Sequence, residues 1–235
     1  MRWPFTPYGT STLLACLALC GALAALLGWL VQPWLAAALL PPALFVLNFF
    51  RDPERSAPGG EDQLVSPADG LVSDIVTLTD PALGVPATRI GIFLNVFDVH
   101  VNRAPCAGRV TAVQRRDGGC FDARDARAVE QNRAATIVLQ RPDGRPLAVR
   151  QITGLIARRI VCPAQVGQAL SRGERYGMIR FGSRTELIVP QSELAEVLVK
   201  VGDRARGGET LLAELRPLPA ARPAPPSRPV AAERA

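Results

Sequence analysis

A single histidine, His100, stands in a chain of 235 residues, and that scarcity narrows the chemistry before any fold is known. A general base working near neutral pH is most often an imidazole. The stretch Asn95-Val96-Phe97-Asp98-Val99-His100-Val101-Asn102-Arg103 is therefore the first place to look. Alternation through it would put Asp98, His100 and Asn102 on one face of a strand and Val99 and Val101 on the other. Three polar groups on one face suit the wall of a site better than a core. One histidine also excludes a zinc centre built on several imidazoles, and the sequence holds neither a Gly-x-Ser-x-Gly elbow nor a phosphate-binding glycine loop. Two further residues complete a set. Asp69, in Ser66-Pro67-Ala68-Asp69-Gly70, offers a carboxylate just ahead of a strand, and Ser183 offers a hydroxyl directly after Gly182 in YGMIRFGSRTEL, residues 176–187. An acid, a base and a hydroxyl are what activate a serine. Each also has a plain reading: Asp69 as a turn residue, and Gly182-Ser183 as the turn of a hairpin between runs 178–181 and 187–189. Separation along the chain leaves open whether the three meet.

The elements that would have to position them are mostly short β runs, 71–78, 88–101, 108–113, 135–139, 147–152 and those around Ser183, punctuated by Gly, Pro and Asp. The stretch 151–162, QITGLIARRIVC, fits a strand or a short helix. Two echoes run through this region. Val166-Gly167 and Gly173-Glu174 recur 35 residues later as Val201-Gly202 and Gly208-Glu209, and Pro67, Gly70 and Val72 recur 38 residues later as Pro105, Gly108 and Val110. Such strand-turn units resemble the half-motifs of lipoyl and biotinyl carrier domains, although the one lysine, Lys200, lies outside them. The expected fold is mainly β (α+β): a compact β-rich domain over 56–215, preceded by a hydrophobic helical hairpin over 1–55.

That hairpin is read from the uncharged stretch 12–31, long enough to cross a bilayer core, and a second apolar stretch, 34–50, interrupted by Pro41-Pro42. Arg2 before the pair and Arg51 and Arg55 after it put both ends on the cytoplasmic side of the inner membrane. The net charge is +6, but much of the excess lies in a Pro, Ala and Arg-rich tail, 216–235, expected to be disordered. With no basic stripe carrying interleaved aromatics, nucleic-acid binding is excluded, and an anionic membrane surface is the better partner. Of five cysteines, Cys16 and Cys20 fall in the apolar stretch and Cys106, Cys120 and Cys162 are widely spaced, which makes neither a disulfide framework nor a metal site.

The motifs FFRDPER (49–55), SPADG (66–70), NVFDVHVNRAP (95–105), QITGLIARRIV (151–161) and GERYGMIRFGSR (173–184) together resemble the short bacterial form of phosphatidylserine decarboxylase, a pyruvoyl-dependent membrane enzyme made as a proenzyme. The resemblance implies that Gly182-Ser183 cuts itself, giving a β chain 1–182 and an α chain 183–235, and that Ser183 becomes a pyruvoyl cofactor forming a Schiff base with phosphatidylserine. It assigns Asp69 and His100 to serine activation and proton transfer. Longer members carry a second histidine where this chain has Arg103, and arginine stays protonated; either His100 serves both self-cleavage and decarboxylation or another group takes one role, and Arg103 is a candidate to hold a substrate carboxylate or phosphate. Asn102, Tyr176 and Arg184 join it as substrate-binding candidates by proximity to the motifs. The implied partners are phosphatidylserine and membrane lipid, with the two chains as a heterodimer and homo-oligomers compatible with it. A membrane-anchored adaptor built from the half-motifs, and a decarboxylase acting on an ether-linked serine lipid, are the alternatives.

Overall fold

The computed structural model describes residues 4–155, 159–180 and 183–217. It opens on two apolar helical segments. α1 (Thr10–Leu30) follows a 3-10 turn at Pro7–Gly9; at about 1.5 Å per residue its 21 residues reach roughly the thickness of a bilayer core. α2 (Leu40–Phe49) follows a 3-10 stretch at Pro33–Leu39. The expected break at Pro41-Pro42 is this change of helix type, because both prolines occupy the first turn of α2, where no backbone N–H is required. The two segments fold back on each other, and their outer ends are tied by Thr6 N–H to Phe50 O (3.0 Å) and Asp52 N–H to Pro4 O (2.8 Å). Gly9 permits this closure, since a Cβ there would lie 2.2 Å from the Phe50 ring. Leu14, Leu19, Trp29, Leu30, Trp34 and Leu44 are left exposed.

The β domain has three sheets. Its strands are β1 (Gln63–Val65), β2 (Gly70–Asp80), β3 (Val85–Leu94), β4 (Val101–Arg103), β5 (Gly108–Arg116), β6 (Ala134–Gln140) and β7 (Pro146–Thr153), with a short helix α3 (Ala126–Gln131) between β5 and β6. There follow β8 (Arg159–Val161), β9 (Ala169–Leu170), β10 (Arg175–Arg180), β11 (Ser183–Pro190), β12 (Leu194–Val197), β13 (Arg204–Ala205) and β14 (Leu211–Leu215). The large antiparallel sheet runs β13-β2-β3-β11-β7-β6-β5-β9, and two small ones run β1-β14-β12 and β4-β10-β8. The main core, including Val72, Ile90, Ile92, Ile137, Val149, Leu187 and Val189, lies on one face of the large sheet.

The sequence echoes are structural repeats. Gly167 N–H bonds Val110 O (2.8 Å) as Gly202 N–H bonds Val72 O (2.9 Å), and Gly173 N–H bonds Ala104 O (2.8 Å) as Gly208 N–H bonds Ser66 O (2.7 Å). β9 pairs with the start of β5 as β13 pairs with the start of β2. Two expectations need correction. The run 88–101 is not one strand: after Leu94, Phe97 N–H bonds Asn95 Oδ1 (2.8 Å) and Asn95 N–H bonds Asp98 Oδ2 (2.9 Å), an Asx-type turn that ends β3 and lets β4 start in another sheet. The flanks of Gly182-Ser183 are not a hairpin either, because β10 pairs with β4 and β8 while β11 pairs with β3 and β7. Gly182 itself, part of the 151–162 stretch (156–158), and the expected tail from 218 onward lie outside the described residues.

Candidate active site

Ser183 is the first residue of β11, a strand in the middle of the large sheet. It stands opposite Leu94 at the end of β3 and Thr153 at the end of β7. β2 begins at the same end, with Leu71 opposite Phe93, so Asp69, the 95–100 segment and Ser183 are all delivered to one rim. The side chains of β11 alternate as strand geometry requires: Leu187 and Val189 enter the main core, while Arg184, Glu186 and Ile188 face the other way. Ser183 shares its face with Thr185, Leu187 and Val189. It is fully buried, and its Oγ has no hydrogen-bond partner. A buried hydroxyl without a partner costs about 1–3 kcal/mol and is a sign of function rather than of structure.

His100 lies just before β4, with its carbonyl accepting from Ile179 N–H (3.2 Å) on the strand that leads toward Ser183. Its ring stacks on Phe49 at the end of α2, centroids 4.4 Å apart. Nδ1 lies 2.9 Å from the Asp98 carbonyl, which can only accept, so Nδ1 carries the hydrogen and Nε2 is the basic nitrogen. Burial pulls the imidazole pKa down to about 4; the Asp98 hydrogen bond and the Asp69 charge oppose that shift, and the Arg51 charge adds to it. Asp69 is held in a fixed orientation: Arg55 grips it through both nitrogens, Nη1 closely and Nη2 at 2.8 Å, and Gly207 N–H donates to Oδ1 at 2.8 Å. The next residue must be glycine, because Gly70 has φ +148° and a Cβ there would stand 2.1 Å from Phe93 O.

The four substrate-binding candidates fall in different places. Asn102 Nδ2 donates to Thr185 Oγ1 (2.9 Å), which puts it on the Ser183 face of β11. Arg103 is buried and bound to Asp52 (3.1 Å), Pro53 O (2.8 Å) and Gly173 O (3.1 Å), and burial lowers its pKa to about 10. Arg184 faces away from Ser183 into a buried ion network, with Asp74 at 2.6 Å and Glu186 at 2.9 Å. Tyr176 is wholly buried, and that burial raises its pKa. Sequence reasoning missed Gln151. It stands opposite Thr185, donates to Asn102 Oδ1 (2.7 Å) and keeps a buried Oε1 without a partner. The signal was its place in the fourth motif, obscured by the helix-or-strand ambiguity there. Arg55 was read only as a membrane-flanking charge.

One rim of the large sheet thus carries a buried serine without a hydrogen-bond partner, and the segment entering β4 carries a buried, uncharged histidine with an apolar helix packed on it. The comparisons with known proteins give the family. The family model described as phosphatidylserine decarboxylase matches residues 43–213. A phosphatidylserine decarboxylase proenzyme of Ruegeria pomeroyi is 45% identical over 192 residues, 80% of this chain and 85% of the relative. Those of Rhodopirellula baltica and Pelobacter propionicus are 42% and 47% identical, covering 89% and 73% of this chain and 88% and 77% of theirs. The chain belongs to the phosphatidylserine decarboxylase family, self-processing decarboxylases of phospholipid synthesis. Its apolar N-terminal helix is compatible with membrane association.

Proposed function

We propose that the chain cuts itself at Gly182-Ser183 and then, as a pyruvoyl enzyme, decarboxylates phosphatidylserine to phosphatidylethanolamine at the cytoplasmic face of the inner membrane. The observation that carries this reading is the buried, unpartnered Ser183 Oγ at the head of a central strand. His100, uncharged at neutral pH, takes the hydroxyl proton on Nε2, and the Asp69 carboxylate favours the imidazolium that results. Ser183 Oγ bonds to the Gly182 carbonyl carbon as the amide C–N bond breaks, leaving an ester and a free amine on residue 183. Elimination across the Ser183 Cα–Cβ bond releases Gly182 as a carboxylate. Water then displaces ammonia from the remaining dehydroalanine, and residue 183 becomes a pyruvoyl group.

The site fits that group, since the conversion removes a buried hydroxyl that had no partner. Once formed, it supplies the electron sink for loss of carbon dioxide. His100 is then the proton donor and acceptor beside residue 183. Asn102 and Gln151, on the Ser183 face, are best placed to orient a headgroup. Arg103 and Arg184 act through the fold, because their guanidinium groups are engaged with Asp52 and Asp74, while the Tyr176 hydroxyl is buried and unpartnered in the main core. The α chain 183–235 would carry β11 to β14, and β11 lies between β3 and β7, so the two chains stay together as a heterodimer after cleavage.

Intact mass of the purified protein tests the reading. We expect two co-purifying chains, the shorter beginning at residue 183 with the mass of pyruvoyl in place of serine, and one uncut chain for Ser183→Ala. A single intact wild-type chain with full activity refutes it.

A further inference from the structure

We propose that the rim of the large sheet that carries Ser183 is itself a lipid-facing surface, with Phe97 and Leu155 as anchors in the bilayer interface. The inference rests on the lipid reading above and extends it to residues outside the hairpin. Because Ser183 pairs with Leu94 and Thr153, the segments leaving β3 and β7 emerge on either side of it. Each soon exposes a large apolar side chain: Phe97 is 64% and Leu155 62% exposed. Single exposed apolar residues are ordinary. Two of them flanking one buried serine need an occupant.

Continuity identifies it. The Phe97 ring packs edge-on against Phe45 of α2, centroids 6.0 Å apart, and its carbonyl accepts from Arg51 Nη2 at 2.7 Å. The exposed apolar surface of the hairpin, with Leu40 and Leu44 on α2, thus continues onto the 95–98 turn. Beside that turn, Phe93, Val96, Arg124 and Leu155 line a cleft of about 380 Å³. The Arg124 guanidinium lies over Phe93 at 5.8 Å and pairs with Asp122 at 2.6 Å, so the cleft has an apolar floor under a polar rim, the layering of an interfacial surface. The opposite end of the same sheet is built differently. It is closed by Arg141-Pro142-Asp143-Gly144-Arg145, by Gln191-Ser192-Glu193 and by the turn Pro81-Ala82-Leu83-Gly84, and no helix of the hairpin continues onto it.

The test places a photoreactive benzophenone side chain at 97, at 155 and, as control, at 166, an exposed position (67%) beside Val110 toward the far end. The full-length, processed protein is irradiated in vesicles of phosphatidylcholine and phosphatidylserine. Lipid adducts at 97 and 155 and none at 166 are expected; absence at 97 and 155, or equal yield at 166, overturns the proposal. A second arm uses the double variant Phe97→Ser, Leu155→Ser. It should cleave itself fully and turn over a short-chain, water-soluble phosphatidylserine like wild type, while turnover of bilayer-embedded substrate falls roughly tenfold, in line with withdrawing two partly buried apolar side chains. Equal loss on both substrates, or no loss on either, overturns it. Wild-type protein that turned over neither substrate would sink the decarboxylase reading, and the crosslinks would still decide the lipid surface.

Discussion

A base that must take a proton at neutral pH has to be uncharged beforehand, and for His100 burial ensures this. The folded ring binds a proton only near pH 4, whereas the unfolded chain takes it up around the ordinary 6.5. As pH falls below 6.5 the unfolded state binds more protons than the folded one, so stability declines, by about 3 kcal/mol on reaching pH 4, and levels off about one unit below that. This is measurable without ambiguity, because the chain has one histidine. In uncut Ser183→Ala protein the single imidazole signal in NMR should not titrate between pH 5.5 and 8. His100→Gln should flatten the dependence of Tm on pH between 6.5 and 4. A midpoint near 6.5 would mean that the ring is open to water and the proposed base is a mixture of forms at neutral pH.

At the scale of elements, β11 carries two kinds of side chain. Ser183 and Thr185 face the core, while Arg184 and Glu186 belong to a buried ion network. There Glu186 meets Arg150 at 3.1 Å, Arg184 at 2.9 Å and Arg89 at 3.4 Å, and Asp80 meets Arg150 at 2.8 Å. Removing one partner from a buried set leaves uncompensated charge and typically costs about 3–5 kcal/mol. Glu186→Gln, nearly isosteric, should lower stability by that order in thermal or urea unfolding. It should still cleave at temperatures well below melting, since Glu186 faces away from Ser183; a folded but uncut variant would contradict that division of labour.

Much of this architecture was legible in the sequence because it depends on local rules. Glycines at fixed offsets gave the repeated strand-turn units, and short β-like runs set off by Gly, Pro and Asp gave β2, β5, β6 and β7. The Asx turn at Asn95–Asp98 was not legible, because it sits inside an alternation that reads equally well as continuous strand; only its side-chain hydrogen bonds end β3. Nor was it visible that β10 and β11 part into different sheets, which is a matter of partner choice rather than local pattern. Ser183, His100 and Asp69 were nameable by residue type. The Asp69–Arg55 pair and Gln151 were not, since their meaning comes from contacts between segments 14 to 138 residues apart or across neighbouring strands.

At the scale of the whole molecule, the FFRDPER segment joins the apolar helices to the chemistry. Asp52 is bound by Arg103 at 3.1 Å and Arg175 at 2.6 Å, Arg55 grips Asp69, and Phe49 lies on His100 while packing with Leu13, Phe50 and Met178. The hairpin therefore walls in His100 as well as presenting an apolar surface, and it is that wall which keeps water from the imidazole. Phe49→Ala should open it. The lost ring and the cavity it leaves should cost about 3–5 kcal/mol, and hydration should raise the His100 pKa from about 4 toward its ordinary value. The NMR titration of uncut protein would then show a midpoint at least one unit above wild type. Phe49→Leu, which keeps an apolar cover, should restore most of the stability and move the midpoint much less. If Phe49→Ala destabilised the protein yet left the His100 midpoint unchanged, Phe49 would be only a packing residue, and the low pKa would have to come from the strands alone.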